Sequence, residues 1–213
     1  MISFFQNNGS ELLRLTIDHL SLSAIALLLG VVVAVPLGIL LSQFPKIANG
    51  VINFISVLQT IPTLALLALM IPFFGIGRLP SIIALFIYSL LPILRNTYLG
   101  MQGVGSNLLD AAKGMGMTQM QVIRQVQLPL AVPVIMAGIR LSTVYVISWT
   151  TLAAYIGGGG LGEMIFNGLN LFMPELILGG TIPVTILALL ADYLMGKLEV
   201  WVSPRTTSKK GES

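Results

Sequence analysis

Residues 20–41 pass without one charged side chain, and so do residues 51–74. Runs of this length and polarity leave few folds open. An α-helix rises about 1.5 Å per residue, so roughly 20 apolar residues span the hydrocarbon core of a bilayer. Five segments qualify: Leu20–Leu41, Val51–Phe74, Leu79–Leu99, Leu130–Ile156 and Leu176–Val202. Only 9% of the 213 residues are charged, against about 25% in a soluble domain. Such a chain cannot cover a water-facing surface. The expected fold is an all-α polytopic membrane protein with about five transmembrane helices. Residues 1–19 read as an N-terminal extracellular or interfacial segment. Residues 20–202 read as the membrane domain, with a polar loop at 100–129, and 203–213 as a cytoplasmic tail. The stretch SELLRLTIDHLS fits an amphipathic interfacial helix or an extension of the first span. The N-terminus lacks a basic cluster, and the apolar run that follows is too long for a secretory signal, so the segment is expected to be retained.

Charge placement sets the expected orientation. With the 100–129 loop inside, the inner face holds Lys46, Arg95, Lys113, Arg124, Lys197, Arg205, Lys209 and Lys210, and the outer face only Arg14 and Arg78. That asymmetry obeys the positive-inside rule. An odd number of spans then puts the N-terminus outside and the C-terminus inside. There is no basic face for nucleic acid. The chain has no cysteine, which removes disulfides and thiolate metal sites. His19 has no second ligand in view, so no metal or catalytic role is assigned. Pro36, Pro62, Pro72, Pro92, Pro133 and Pro183 lie inside the spans and invite kinks. Gly30, Ala34 and Gly38, spaced by four, and Ala137, Gly138, Gly179 and Gly180 mark close-packing faces.

The loop DAAKGMGMTQMQVIRQVQLP (110–129) is polar and punctuated. Ser106 or Asn107 can cap a first short helix, and Gly114 and Gly116 can supply the left-handed turn that ends it. Thr118 with Gln121 three residues on is a capping-box pattern for a second helix. Met120, Ile123 and Val126 fall near one face of it, and Pro129 is expected to punctuate the return to the membrane. The pattern resembles the EAA loop of ABC importer permeases at Asp110, Ala111, Ala112, Gly116, Leu128 and Pro129, with Asp in place of the usual Glu. In that family the loop docks on a separate ATPase. A capped, rigid knob suits the transmission of a rigid-body motion.

The resemblance extends through QTIPTLALLALMIPFFGIG (59–77), LLPILRNTY (90–98), LPLAVPVIMAGIR (128–140) and IGGGGLG (156–162). These segments look like the osmoprotectant permeases, the membrane subunits of importers for glycine betaine, carnitine and choline. The resemblance implies a type I importer permease of the MetI-like fold in the bacterial cytoplasmic membrane. It implies a cytoplasmic ABC ATPase that carries the ATP and Mg, an extracellular substrate-binding protein, and a second permease, either a sister chain or another copy. No cofactor is expected on this chain, which has no Walker A pattern. The glycines at 157–160 read as a turn at the outer gate or a docking segment, or as a flexible loop. A permease for methionine or another amino acid is the alternative. An intramembrane enzyme lacks the usual nucleophile and base pairs, and a passive channel has no use for the 110–129 pattern.

Quaternary ammonium groups are held by aromatic faces. Tyr145 and Trp149 share a helix face and are expected to line the translocation path. Arg140 and Asp192 lie at similar membrane depth and are expected to pair, because isolated charge there is costly. Glu163 and Glu175 are expected in the outer loop, solvated or facing the binding protein.

Overall fold

The computed structural model describes residues 2–203, with side chains from residue 8 onward. Of the expected tail at 203–213, residues 204–213, with Arg205, Lys209 and Lys210, lie outside the described residues. The elements are helices throughout: α1 (Ile2–Ser42), α2 (Pro45–Thr60), α3 (Thr63–Phe74), α4 (Arg78–Gln102), α5 (Ser106–Gly114), α6 (Gln119–Gln121), α7 (Leu128–Ala153), α8 (Gly162–Asn170) and α9 (Pro174–Val202). Among the described residues there is no strand. This is what a hydrocarbon environment demands, since a helix satisfies its own backbone.

The first helix is continuous, so residues before Leu20 extend the first span rather than form a separate element. Its far end is tied to the far end of α4, where Gln102 Nε2 donates to Ser42 O at 2.7 Å. At the opposite end Arg78, which opens α4, donates to Asp18 of α1 at 2.9 Å. The two helices therefore run parallel, start beside start and end beside end. The chain must travel from Ser42 at one end to Arg78 at the other through α2 and α3, and this bent pair makes one traverse. With α1, α4, α7 and α9 this gives five candidate membrane spans.

That second traverse is not the single helix expected over 51–74. It breaks at Ile61–Pro62 with a bend of 96°. Pro62 disfavours the α region for the residue before it. Ile61 accordingly sits at φ −67°, ψ 126°, and the helix restarts at Thr63. Pro36, Pro72, Pro92, Pro133 and Pro183 stay inside helices.

Small residues set the helix contacts. Ala34 is fully buried between α1 and α4. A β-carbon at Gly38 would lie 2.7 Å from Thr97 Cβ, and one at Gly30 would run into Ser89. Gly138 of α7 rests on Pro92 and Asn96 of α4, and Gly180 of α9 rests on Ile165 of α8. Gly30→Leu and Gly38→Leu are each expected to overpack this seam by about 1–3 kcal/mol. For a chain of this size that is a melting temperature lower by roughly 2–10 °C in detergent. Gly50→Leu, where space is open, is expected to leave it unchanged.

Candidate functional site

The polar loop folds as a knob at the end of the molecule where α1 and α4 finish. Gly105, and not Ser106 or Asn107, caps α5; it does so without a side-chain bond, and those two residues begin the helix. Two crossed bonds close the helix, Gly116 N–H to Lys113 O at 2.9 Å and Met117 N–H to Ala112 O at 3.2 Å. This is a Schellman arrangement, and it needs the φ of +79° at Gly116. Gly114 stays helical. The Thr118 capping box forms in both directions, with Thr118 N–H to Gln121 Oε1 at 2.7 Å and Gln121 N–H to Thr118 Oγ1 at 3.4 Å.

Beyond the box the chain does not stop. Gln119 to Ile156 is one continuous helix containing a π-helical stretch at Val122–Gln127. Pro129 therefore does not punctuate the return to the membrane. It sits in the first turn of α7, where the wide turns give way to ordinary ones and its missing N–H is tolerated. Leu128 packs with Met101, Ala131 and Ile135. Ala112 is buried, while Asp110 and Ala111 face outward. Leu108, Met115 and Met120 are 52%, 75% and 57% exposed, an uncovered apolar tip.

Glutamines that the sequence reading passed over fasten this knob to the membrane helices. Gln119 Nε2 donates to Gln43 Oε1 at 2.7 Å. Buried Gln127 donates to Met101 O at 2.8 Å, an orphan carbonyl at the end of α4. The only sequence signal was a run of amides beside apolar spans.

Within the membrane region Arg140 meets Asp192. Nε and one terminal nitrogen donate to the two carboxylate oxygens at 2.6 and 2.7 Å, a bidentate fork. Glu199, two turns along α9, lies 3.6 Å from the guanidinium, and Gly196 between them leaves room for it. The seven-residue spacing from Asp192 could have pointed to Glu199. These groups border a groove of about 760 Å³ between α7 and α9 that Asn96, Ser148 and Thr185 also line. The Arg140 and Asp192 side chains are 38% and 41% exposed in the single chain.

Tyr145 and Trp149 pack with centroids 5.3 Å apart and ring planes tilted by 35°, and Trp149 packs on Tyr88 at 4.7 Å with a tilt of 54°. Tyr145 is half-exposed, but Val144 and Ser148, not Tyr145, line the groove. Successive helical residues are turned by about 100°, so Tyr145 faces the side next to it.

At the other end, Arg14 pairs with Glu11, Asp18 and Glu163, and Arg78 pairs with Asp18 and donates to Ser21 Oγ. Glu163 is thus ion-paired rather than merely solvated. The glycine run is not a loose loop: Gly158 rests on Ser81, Gly160 rests on His19, and Gly77 N–H donates to Ile156 O. His19 is fully buried beneath it, with Nε2 2.9 Å from Ile147 O. A carbonyl only accepts, so Nε2 carries the proton.

Residues 19–208 match the family described as binding-protein-dependent transport system inner membrane component. The chain is 59% identical over 212 residues to the carnitine transport permease protein OpuCB of Listeria monocytogenes, covering 100% of this chain and 97% of that one. It is 56% identical over 205 residues to the glycine betaine/carnitine/choline transport system permease protein OpuCB of Bacillus subtilis, covering 96% and 94%. A chain of the MetNI methionine ABC transporter, solved facing inward, superposes with a TM-score of 0.83 over 91% of this chain and 96% of that chain at 22% identity. That last likeness speaks to the fold alone.

Asp192→Asn leaves the Arg140 guanidinium with Glu199 alone. The variant is expected to give less folded protein and a lower melting temperature in detergent, and adding Arg140→Gln is expected to recover part of the loss. Unchanged melting in the single variant would mean that the pair contributes nothing to folding.

Proposed function

Because this chain belongs to the binding-protein-dependent transport system inner membrane component family, we propose that it is the membrane-spanning permease of an ATP-driven importer for quaternary ammonium osmoprotectants: glycine betaine, carnitine and choline. The observation that carries the substrate class is near-full-length identity of 56–59% to permeases named for those solutes. The methionine reading is not favoured, since that likeness stands at 22% identity.

The chain does no covalent chemistry in this reading. ATP and Mg²⁺ belong to a partner ATPase, which docks on the exposed tip formed by Leu108, Met115 and Met120. Two properties of the knob support that role. Its backbone is closed by a capping box and a Schellman turn, and its second helix runs unbroken into α7. Displacement of the tip therefore reaches Arg140 and Trp149 through one rod.

Orientation follows the charges. Among the described residues, Lys46, Lys113 and Arg124 at the knob end have no ion-pair partner, which suits the cytoplasmic side. At the other end Arg14 and Arg78 are neutralised by Glu11, Asp18 and Glu163. That end is extracellular in this reading and receives the substrate-binding protein. Five passes then place the N-terminus outside and the C-terminus inside. Half-exposed charge at membrane depth cannot face lipid. The α7–α9 face accordingly borders a second permease, sister or copy, with the solute path between them. Tyr145 and Trp149, beside the groove rather than in its lining, offer aromatic faces to the passing cation, each contact worth about 0.5–2 kcal/mol. A permease needs weak sites of this kind, because tight binding would stall release.

The test is uptake of labelled glycine betaine in high-salt medium by cells lacking other osmolyte importers. Deletion of the chain is expected to abolish uptake. Gly116→Val, which forces a β-branched residue to a φ of +79°, is expected to abolish it while the protein remains in the membrane. Trp149→Leu is expected to impair uptake with the complex intact. Normal uptake without the chain would overturn the assignment, and normal uptake by Trp149→Leu would remove that residue from the path.

A further inference from the structure

Two backbone defects face each other where the bent traverse meets α4. The break at Ile61–Pro62 turns the Ile61 carbonyl away from any helical donor. On α4, Pro92 has no N–H, so the carbonyl of Tyr88 four residues earlier loses its helical partner. Each defect is filled by a side chain from the opposite element. The Tyr88 hydroxyl donates to Ile61 O, and Gln59 Nε2 donates to Tyr88 O at 2.8 Å. The Thr63 hydroxyl lies beside the same phenol. Tyr88 is 2% exposed, and its partners Gln59 and Ile61 are half-buried. Its ring is also the inner member of the row Tyr88–Trp149–Tyr145.

We propose that Tyr88 and Gln59 are positioning residues for transport, forming a latch that holds the elbow between α2 and α3 to α4 and links it to the aromatic row on α7. The inference rests on the reading of that row as part of the solute path. Packing alone explains the ring of Tyr88 but not its hydroxyl, and it does not explain an amide at Gln59. Releasing the elbow strips two carbonyls of their donors at once, at membrane depth. The latch is therefore closed or open, with little between. Close-packed rings do not move independently, so a cation pressing on Tyr145 and Trp149 shifts the ring that holds the elbow.

The complete importer in proteoliposomes tests this, with glycine betaine uptake and basal ATP hydrolysis measured per assembled complex. Tyr88→Phe keeps the ring contact and removes the hydroxyl. Gln59→Leu removes the amide at similar volume. Each is expected to lower the maximal uptake rate on the order of tenfold, with KM for loaded binding protein and basal hydrolysis unchanged. The double variant is expected to be no worse than the more impaired single variant, because the two bonds act as one unit. Uptake near the parent rate in either single variant, additive losses, or a loss confined to the amount of assembled complex would overturn the latch. Trp149→Leu in the same assay separates the two readings: normal transport there removes the row from the path, whatever the latch variants do.

Discussion

Hydrocarbon offers no partner to an N–H or a C=O, and the architecture depends on that constraint. Long helices satisfy most of the backbone, but helix ends, proline sites and the elbow do not satisfy themselves. Side chains finish the work. Gln102 reaches Ser42 O, Gln127 reaches Met101 O, Ser142 reaches Ser89 O, Gln59 reaches Tyr88 O, and the Tyr88 hydroxyl reaches Ile61 O at the elbow. Each repair joins two different elements. The groups that solve a local backbone problem therefore also fix how the helices sit against one another.

One consequence is a mechanical path. The polar knob is fastened by glutamine amides to Gln43 just beyond α1 and to the end of α4, and it continues into α7 without a break. That same helix carries Arg140, Tyr145 and Trp149. The ion pair at Asp192 ties it to α9, and His19 ties it to α1 beneath the glycine turn. A movement applied at the knob is thus delivered to the groove and to the opposite end through packed, hydrogen-bonded contacts. The π-helical stretch at Val122–Gln127 lies at the root of this rod, where wide turns are easier to alter than ordinary ones.

Local rules made part of this legible in the sequence. The spans follow from uninterrupted apolar length, the Thr118 box and the positive φ at Gly116 from residue type and spacing, and the Arg140–Asp192 pair from matched depth in two spans. What stayed hidden depends on partners distant in sequence. Nothing in the run 51–74 separates Pro62 from Pro72. Pro62 breaks its helix where Tyr88, on another helix, accommodates the exposed Ile61 carbonyl. Pro129 looked like a stop, yet it falls at a change of helical register that the sequence does not announce. Tyr88 itself reads as one more apolar core residue until the fold places its hydroxyl. The first short helix was expected to start on a Ser or Asn cap, but its N-cap is Gly105, with no side-chain bond.

The most direct measurement of the central claim is accumulation of labelled glycine betaine inside proteoliposomes that hold the full complex, with binding protein outside and ATP trapped within. The internal concentration is expected to rise above the external one, accumulation to stop when ATP is replaced by a non-hydrolysable analogue, and carnitine or choline to compete while methionine does not. Equilibration without ATP, or accumulation competed by methionine alone, would contradict that claim.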